Sequence, residues 1–237
     1  MKYLEICAAD IRSVLAAKRG GADRVELCSG LEEGGVTPST GLVKAAVSTG
    51  MRVHVLIRPR GGDFVYSDAE KNIMLADIRH MSELGVHAVV CGALTAEGTV
   101  DESFLADALE AAGKMEFTFH RAFDVVRDPH AALETLKKHG VNYLLTSGCA
   151  RSAMEGASLI ADLVKQAAGK PAVIAAAGIS SANLAELSAL TGCSHFHASA
   201  RRVPLADNDE NLLFAPSYPS DSSEVAALKA ILNCRDI

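Results

Sequence analysis

The stretch SDAEKNIMLADIRHMSELGVHAVVC, residues 67–91, carries a helix signal followed directly by a strand signal. Ser67 and Glu70 have the spacing of a capping box, in which the two residues satisfy free backbone amides of the first helical turn. The apolar residues predicted to face inward from this helix are Ile73, Met74, Ile78, Met81 and Leu84. Gly85 ends the predicted helix, and Ala88–Cys91 is a short apolar run typical of a buried strand.

The same strand and helix unit repeats along the chain. The predicted strands are Leu4–Cys7, Arg24–Leu27, Arg52–Ile57, Ala88–Cys91, Glu116–Phe119, Tyr143–Thr146, Ala172–Ala176 and His195–His197. A second capped helix begins at Asp128-Pro129 and ends at Gly140. Repeated units of this kind force a parallel sheet, and eight of them predict an α/β fold made of a single (β/α)8 TIM-type barrel. An open doubly wound sheet is the alternative, disfavoured because no Gly-x-Gly-x-x-Gly follows the first strand.

The repeat loosens after Arg202. Prolines mark the irregular segment that follows: Pro204, Pro216 and Pro219. A last helix is predicted over Glu224–Leu232. We therefore expect one domain over residues 1–237, with the barrel over about 1–202 and an irregular C-terminal extension over 203–237. The extension is expected to cover the barrel or to contact another subunit.

Composition narrows the function classes. Hydrophobic residues make up 49% of the chain, the formal net charge is -6, and Lys and Arg form no run, so nucleic acid and anionic membranes are not expected partners. Charged residues interrupt the apolar core that an N-terminal signal peptide would need: Glu5, Asp10 and Arg12. No apolar stretch reaches the ~20 residues that span a bilayer. Six cysteines without a Cys-x-x-Cys pattern fit reduced thiols in a cytoplasmic protein.

Two predicted strands end in the same Glu-x-Cys pattern, as Glu5 with Cys7 and as Glu26 with Cys28. Residues two apart point to the same face of a strand, and neighbouring strands lie roughly 4.8 Å apart. Two carboxylates and two thiols are therefore expected in one small volume. Thiolates are soft ligands that favour Cu(I), which makes Cys7 and Cys28 candidate ligands in near-linear geometry. The alternative is that both are small buried hydrophobic residues.

Active sites of TIM-type barrels lie at the C-terminal ends of the strands. The candidate catalytic residues there are Glu5, Glu26, Arg58, His120, Arg121 and Asp124. The two glutamates are either a general acid and base or members of a buried salt-bridge network. The arginines available to pair with them are Arg58, Arg121 and Arg201. Asp124 is expected to orient His120 for proton transfer, whereas a satisfied core histidine is the alternative.

Small residues end the later predicted strands. The candidate cofactor-binding or phosphate-binding residues are Thr146, Ser147, Gly148, Gly178, His197 and Ser199. Loops of this kind expose backbone amides to a phosphate, although tight turns need the same residues. No Lys follows any predicted strand, which disfavours a Schiff-base aldolase. The opposite strand ends are expected to carry only solubilising residues, namely Lys2, Asp23, Lys114 and Lys170.

Taken together, these segments resemble the CutC copper-homeostasis family. The matching stretches are Leu4-Glu5-Ile6-Cys7, Asp23-Arg24-Val25-Glu26-Leu27-Cys28, Gly34-Gly35-Val36-Thr37-Pro38-Ser39, Ile57-Arg58-Pro59-Arg60-Gly61-Gly62-Asp63-Phe64, Phe119-His120-Arg121-Ala122-Phe123-Asp124, Leu145-Thr146-Ser147-Gly148 and Phe196-His197. The resemblance implies a barrel, a cytoplasmic location, Cu(I) ligation by Cys7 and Cys28, and self-association as a dimer or tetramer. The chain departs from the family at Ala175-Ala176-Ala177-Gly178, where a Gly-Gly-Gly stretch is expected and added methyl groups would narrow the loop.

Two functional hypotheses follow. The first is a copper-homeostasis protein that binds Cu(I) through its strand-end thiols. The second is a barrel enzyme that acts on a small anionic metabolite through the carboxylates, histidines and arginines of the mouth. No organic cofactor is expected in either case. A barrel used mainly for protein contact is less favoured, because such a role needs no cluster of ionisable groups.

Overall fold

Eight parallel strands close into a barrel in the computed structural model, which describes residues 1–201 and 218–234. The strands are β1 (Tyr3–Ala8), β2 (Arg24–Leu27), β3 (Val53–Leu56), β4 (Ala88–Cys91), β5 (Glu116–Phe119), β6 (Tyr143–Thr146), β7 (Ala172–Ala176) and β8 (His195–Ala198). Each strand pairs with the next, and β8 pairs with β1. The predicted TIM-type fold is confirmed, with strand limits shifted by at most one residue, as for Arg52–Ile57, because strand ends depend on the neighbouring ladder.

Helices surround the barrel on the outside. They are α1 (Ile11–Gly20), α2 (Thr40–Ser48), α3 (Asp68–Glu83), α4 (Glu102–Ala112), α5 (Pro129–Lys138), α6 (Ala157–Ala167), α7 (Leu184–Thr191) and α8 (Ser222–Asn233). The main apolar core lies between strands and helices and contains fully buried Phe117, Phe119 and Phe196. Pro204 and Pro216, which were expected to mark an irregular extension, lie outside the described residues.

The capping box of α3 forms as expected, with Ser67 and Glu70 bonded in both directions. Met74, Ile78 and Met81 are buried and follow one stripe of the helix. Ile73, which was expected to face inward, is 54% exposed. That expectation was wrong because Ile73 lies about 100° around the helix from Met74 and so falls beside the stripe.

Strand alternation decides what enters the barrel. In β1, Leu4, Ile6 and Ala8 belong to the outer core, so Glu5 and Cys7 point into the interior. The ladder between β1 and β2 sets Glu5 beside Arg24 and Cys7 beside Glu26. Polar residues therefore occupy the interior at several levels, not only at the strand ends.

The N-terminal end of the barrel is not merely solubilising, which corrects the expectation for that face. A cavity of about 700 Å³ there is lined by Arg24, Arg52, Glu116, Tyr143 and His195, among others. These residues come from the first positions of their strands or, for Arg52, from the position just before β3, and strand alternation turns them toward the barrel interior. Ion pairs join Arg24 to Glu5, and Arg52 to Glu116.

Helix α8 packs against α1, and this contact depends on Gly20. A Cβ atom at Gly20 would lie 2.4 Å from the Cβ of Val225 in α8, which no side chain allows. The Lys229 ammonium also binds the Asp23 carboxylate at 2.6 Å. The predicted last helix is thus present and covers part of the barrel. Of the helices in the described ranges, none has the length and apolar character needed to cross a membrane.

Candidate functional site

A cavity of about 260 Å³ opens at the C-terminal ends of the strands. Its wall contains these sequence-predicted residues: Cys7, Glu26, Arg58, His120, Arg121, Gly178, His197 and Ser199. Its apolar wall includes Leu31, Leu56, Phe64, Leu145 and Ile179. The other predicted residues lie behind the wall: Glu5, Cys28, Asp124, Thr146, Ser147 and Gly148. The strand-end rule therefore locates the cavity, while side-chain packing decides which residues reach it.

Glu5 lies in the barrel interior beneath the cavity and is 2% exposed. Arg24 Nε donates to one carboxylate oxygen at 2.5 Å, and His197 Nδ1 lies 2.7 Å from the other. The expected partners Arg58, Arg121 and Arg201 form no ion pair with Glu5 within residues 1–201 and 218–234. That expectation was wrong because the β1–β2 register sets Arg24 directly beside Glu5.

The charges of Glu5 and His197 support each other. Burial by itself would raise the pKa of Glu5, but Arg24 and His197 lower it below its ordinary value, so the carboxylate is ionised. Burial by itself would lower the pKa of His197, but the carboxylates of Glu26 and Glu5 raise it well above its ordinary value. His197 is therefore an imidazolium at neutral pH.

Glu26 completes a row of three titratable groups. Its carboxylate lies 3.8 Å from His197 Nε2, on the side away from Glu5. Burial raises the pKa of Glu26, and the negative charge of Glu5 adds to that rise. The row therefore combines an ionised carboxylate, an imidazolium and a carboxyl group shifted toward neutral pH, which is the arrangement that general acid–base chemistry requires.

The two predicted metal ligands are in contact, with Cys7 Sγ 3.8 Å from Cys28 Sγ. The contact with Cys28 and burial raise the pKa of the Cys7 thiol well above its ordinary value. Near-linear ligation of Cu(I) by these two sulfurs stays a prediction.

Two further donors lie near the thiols. Ligand atoms of Cys7, Glu26 and His197 all lie within 4.8 Å of one another. The donor set can thus hold a soft ion, provided that the thiols lose their protons.

Arg58 brings a buried positive charge to the cavity wall, with 5% exposure. Its guanidinium donates to the backbone carbonyls of Glu33, Gly35 and Gly62 at 2.7–3.0 Å and lies over the Phe64 ring. None of the carboxylates in the described part of the chain pairs with it, and its Nε finds no hydrogen-bond acceptor there. The wall consequently carries one uncompensated cation, which favours an anionic ligand.

His120 presents a neutral donor in the same wall. Its Nδ1 accepts the Ala122 backbone N–H at 3.2 Å, so the neutral ring carries its proton on Nε2. Burial, together with the Arg58 charge, lowers the pKa of His120 to about 3 and keeps it neutral. Nε2 has no hydrogen-bond partner among the described residues.

Asp124 does not orient His120, contrary to expectation. Its carboxylate accepts the backbone N–H groups of Ser147 and Cys149, the Thr146 hydroxyl and the Arg121 Nε. The short 3-10 helix Arg121–Val125 turns Asp124 toward the end of β6, away from the ring of His120. Asp124 therefore ties two loops together.

The same bonds correct the phosphate prediction for residues 146–148. Asp124 already accepts the amides of Ser147 and Cys149, and Gly148 N donates to the Thr146 hydroxyl at 2.9 Å. A phosphate would have to displace the carboxylate. The seventh-strand loop does reach the cavity through Ala177 and Gly178, and Ala177 has a left-handed φ of 83° despite its Cβ atom.

Sequence reasoning missed Arg24, His54 and Phe64 as parts of the site. Arg24 pairs with Glu5, His54 Nδ1 lies 3.5 Å from Glu5, and Phe64 contacts both Arg58 and His120. Strand alternation could have found the first two, because Arg24 and His54 occupy the same phase as the interior residues of their strands. Phe64 lies on a loop, where no periodicity applies.

The family model that matches this sequence is that of the CutC family, and it covers residues 2–202. A CutC family protein of Mesorhizobium japonicum is 48% identical over 206 residues, which are 86% of this chain and 80% of the relative. The human copper homeostasis protein cutC homolog is 42% identical over 235 residues, which are 99% of this chain and 85% of the relative.

A solved structure of a CutC protein from Streptococcus agalactiae superposes with a TM-score of 0.80 at 32% sequence identity. The match covers 84% of this chain and 99% of that protein. The likeness therefore supports the barrel fold.

Proposed function

The chain belongs to the CutC copper-homeostasis family, and on that premise we propose that its barrel mouth carries out acid–base chemistry on a small anionic metabolite. One observation carries this proposal: a single cavity wall holds the uncompensated Arg58 charge together with His197 and Glu26. The Arg58 charge attracts an anion, and His197 and Glu26 supply a proton donor and a proton acceptor beside it.

The proposed step is proton abstraction from a carbon next to a carbonyl group of the substrate. The Glu26 carboxylate takes the proton, and the electron pair of the broken C–H bond moves onto the carbonyl oxygen. The His197 imidazolium stabilises the resulting oxyanion, and Glu5 holds that imidazolium in place and in its charged form. Return of the proton by Glu26 to the same or the adjacent carbon completes an exchange or an isomerisation.

A Schiff-base reaction has no support here. No lysine contributes to the cavity wall in the described ranges, whereas such a mechanism needs an amine there. The neutral His120 carries its proton on Nε2, so this nitrogen cannot accept a proton from a second nucleophile. Proton transfer by Glu26 is the chemistry that the wall residues support best.

The test uses the full chain in D₂O with a panel of 2-oxo acids, 2-hydroxy acids and sugar acids. Proton NMR follows the loss of C–H signals, which detects abstraction without knowledge of the product. We expect at least one compound to exchange, and Glu26→Gln to slow that exchange by about 100-fold or more. Glu32→Gln, an exposed acid in the short 3-10 helix Leu31–Glu33, is the control that should keep the wild-type rate.

Absence of exchange across the panel at stoichiometric protein would count against the proposal. Exchange at the wild-type rate in Glu26→Gln would overturn it, provided that circular dichroism shows the variant folded. Either result leaves the fold and the family membership unaffected.

Cu(I) binding is a second candidate function, favoured by the 3.8 Å separation of Cys7 Sγ and Cys28 Sγ. Both thiolates would hold the ion, with His197 or Glu26 as a third ligand. Competition against a Cu(I) chelator should give one tight site, which the Cys7→Ser, Cys28→Ser variant should lose. Cys149→Ser, an exposed thiol elsewhere, is the control, and equal affinity in the double variant would end this candidate.

We also infer a cytoplasmic location from the six free cysteines and self-association as a dimer or tetramer from the family resemblance. The single-domain organisation over residues 1–237 stays a prediction as well. Size-exclusion chromatography with light scattering checks the oligomeric state, and a monomeric mass would contradict it.

A further inference from the structure

We propose that the part of the cavity wall formed by Arg58 and His120 is a carboxylate-binding site. Arg58 Nε–H and His120 Nε2–H bind the carboxylate there, and the site does not bind phosphate. The proposal rests on the proposed function for its purpose, because it names the substrate class of that site. It predicts which group of the substrate anchors the molecule while Glu26 acts on another part of it.

The first step is that two buried donors are left without acceptors. Arg58 is 5% exposed and His120 is 4% exposed, and both belong to the cavity wall. Arg58 Nε and His120 Nε2 have no hydrogen-bond partner in the part of the chain that the structure describes. Buried donors are nearly always paired in native proteins, and these two share one cavity wall, so a ligand group that accepts from both would satisfy them.

The second step is that one aromatic ring contacts both side chains. The Phe64 ring lies 4.9 Å from the Arg58 Cζ and 5.0 Å from the His120 ring. The ring of His120 is pinned at its other edge, because Nδ1 accepts the Ala122 N–H and a Cβ at Gly92 would come within 2.8 Å of it. The tautomer and the position of Nε2 are therefore fixed by the backbone.

The third step is that the number and charge of the donors match a carboxylate. The Nη atoms of Arg58 donate three hydrogen bonds to backbone carbonyls, which leaves the Nε–H and one Nη2–H of the charged group for a ligand. One charged and one neutral donor suit the two oxygens of a monoanion. Phosphate has more oxygens and more charge, and the amides at Ser147 and Cys149 that would serve it already bind Asp124.

The size of the cavity limits the ligand further. A volume of about 260 Å³ is equivalent to about eight or nine water molecules at ≈ 30 Å³ each. A carboxylic acid of a few carbons fits that space. With its carboxylate on Arg58 and His120, its neighbouring carbons remain available to Glu26.

The test measures binding of glycolate and of inorganic phosphate to the full chain labelled with ¹⁵N-histidine and ¹⁵N-arginine. We expect glycolate to shift the Nε2–H resonance of His120 and the Nε–H resonance of Arg58, and phosphate to bind at least tenfold more weakly. A wild-type protein that binds phosphate more tightly at these resonances would overturn the proposal.

A matched pair of variants distinguishes loss of the His120 Nε2–H donor from loss of the fold. His120→Asn keeps an acceptor for the Ala122 N–H but removes the Nε2–H, so glycolate binding should weaken at least tenfold. His120→Gln places an amide N–H near the position of Nε2 and should retain more of the binding. Glycolate affinity in His120→Asn equal to that of the wild-type protein would refute the proposal, and thermal unfolding checks that both variants fold.

This outcome is separable from that of the proposed function. Exchange in D₂O that depends on Glu26, combined with unchanged glycolate binding in His120→Asn, would refute the carboxylate-binding site. The proposed proton abstraction would be unaffected. Glycolate binding that depends on His120, without exchange of any panel compound, would support the carboxylate-binding site and count against the proposed proton abstraction. Arg58→Lys, which keeps the charge but loses the planar donor, should weaken glycolate binding in the same way.

Discussion

The two ends of the barrel carry similar residues and differ in whether a buried arginine pairs with a carboxylate. At the N-terminal end, Arg24 binds Glu5 and Arg52 binds Glu116. At the mouth, Arg58 has carbonyl partners but no carboxylate within the described ranges, and His120 keeps an unpartnered N–H. The N-terminal cavity is the larger, about 700 Å³ against about 260 Å³. Volume and charge content therefore do not distinguish a functional site from a structural one here.

The difference teaches that pairing is the useful criterion. A charge that already has a counter-ion stabilises the fold, and a ligand would have to displace that partner. A buried charge or donor without a partner is a cost to the fold that a ligand can relieve. Asp124 shows the same rule inside the mouth, because its carboxylate is fully used by the neighbouring loops. The predictions below test this comparison.

The largest effect on stability is expected for the buried ion pair between Arg24 and Glu5. Arg24→Met leaves the Glu5 carboxylate without its main partner in the interior, and we expect a loss of about 3–5 kcal/mol in the free energy of unfolding. Arg52→Met removes a partly exposed pair with Glu116 and should cost about 0–1 kcal/mol. Urea unfolding at pH 7 measures both, and equal losses would break the comparison.

The next largest effect is a pH dependence of the free energy of unfolding, caused by the titration of His197. Its folded-state pKa is raised, so its contribution is complete below the unfolded value of about 6.5 and is lost as pH rises toward the folded value. We expect stability to fall between pH 6.5 and 8.5 by at most about 1.4 kcal/mol per pH unit. His197→Gln should flatten this slope, whereas His130→Gln, on an exposed helix, should not.

The pH window is chosen to separate His197 from the thiols. Burial and the contact with Cys28 raise the pKa of Cys7, so its contribution to stability is lost only at more alkaline pH. An unchanged slope in His197→Gln would show that another group titrates in this range. It would also remove the imidazolium from the proposed mechanism.

A smaller effect is expected for the carboxylate that ties the mouth loops. Asp124→Asn replaces one acceptor oxygen with a donor facing backbone N–H groups, and we expect a loss of about 1–3 kcal/mol. Asp128→Asn is the matched control, because Asn and Asp serve equally as N-caps. Urea unfolding and amide hydrogen exchange at Ser147 and Cys149 check the result. Unchanged exchange in Asp124→Asn would contradict a structural role.

The smallest effect concerns the wall formed by the seventh-strand loop. Ala177 has a φ of 83°, which is unfavourable for a residue with a Cβ atom. We expect Ala177→Gly to stabilise the protein by up to about 1 kcal/mol, whereas Ala176→Gly within β7 should destabilise it by about 0.5–1 kcal/mol. Thermal unfolding distinguishes the two, and a loss in both variants would show that Ala177 is not strained.

Much of the architecture was predictable because it depends on local signals. The capping box at Ser67 and Glu70, the Asp128-Pro129 start and the alternation in β1 each act over a few residues. The contact between Cys7 and Cys28 followed from adjacency of the first two strands, which any parallel barrel supplies. The prediction that Ile73 is buried was wrong because a helical pattern alone does not fix the width of the buried stripe.

The partners of the site residues were not predictable in the same way. Arg24, rather than Arg58, binds Glu5 because of a register that only the closed ladder sets. Asp124 binds the β6 loop, not His120, because a short 3-10 helix redirects it. Each of these contacts joins residues that are distant in the sequence.

The sequence by itself determined the barrel, its open end and the set of ionisable groups near that end, because strand and helix periodicities and strand-end positions are local properties of the chain. Only the tertiary structure decided which of those groups are neutralised and which remain available. Pairing depends on strand register and on distances of a few ångströms between residues far apart in the chain, and charge interactions change steeply over that range. The unpaired Arg58 and His120 could be recognised only after the barrel had closed.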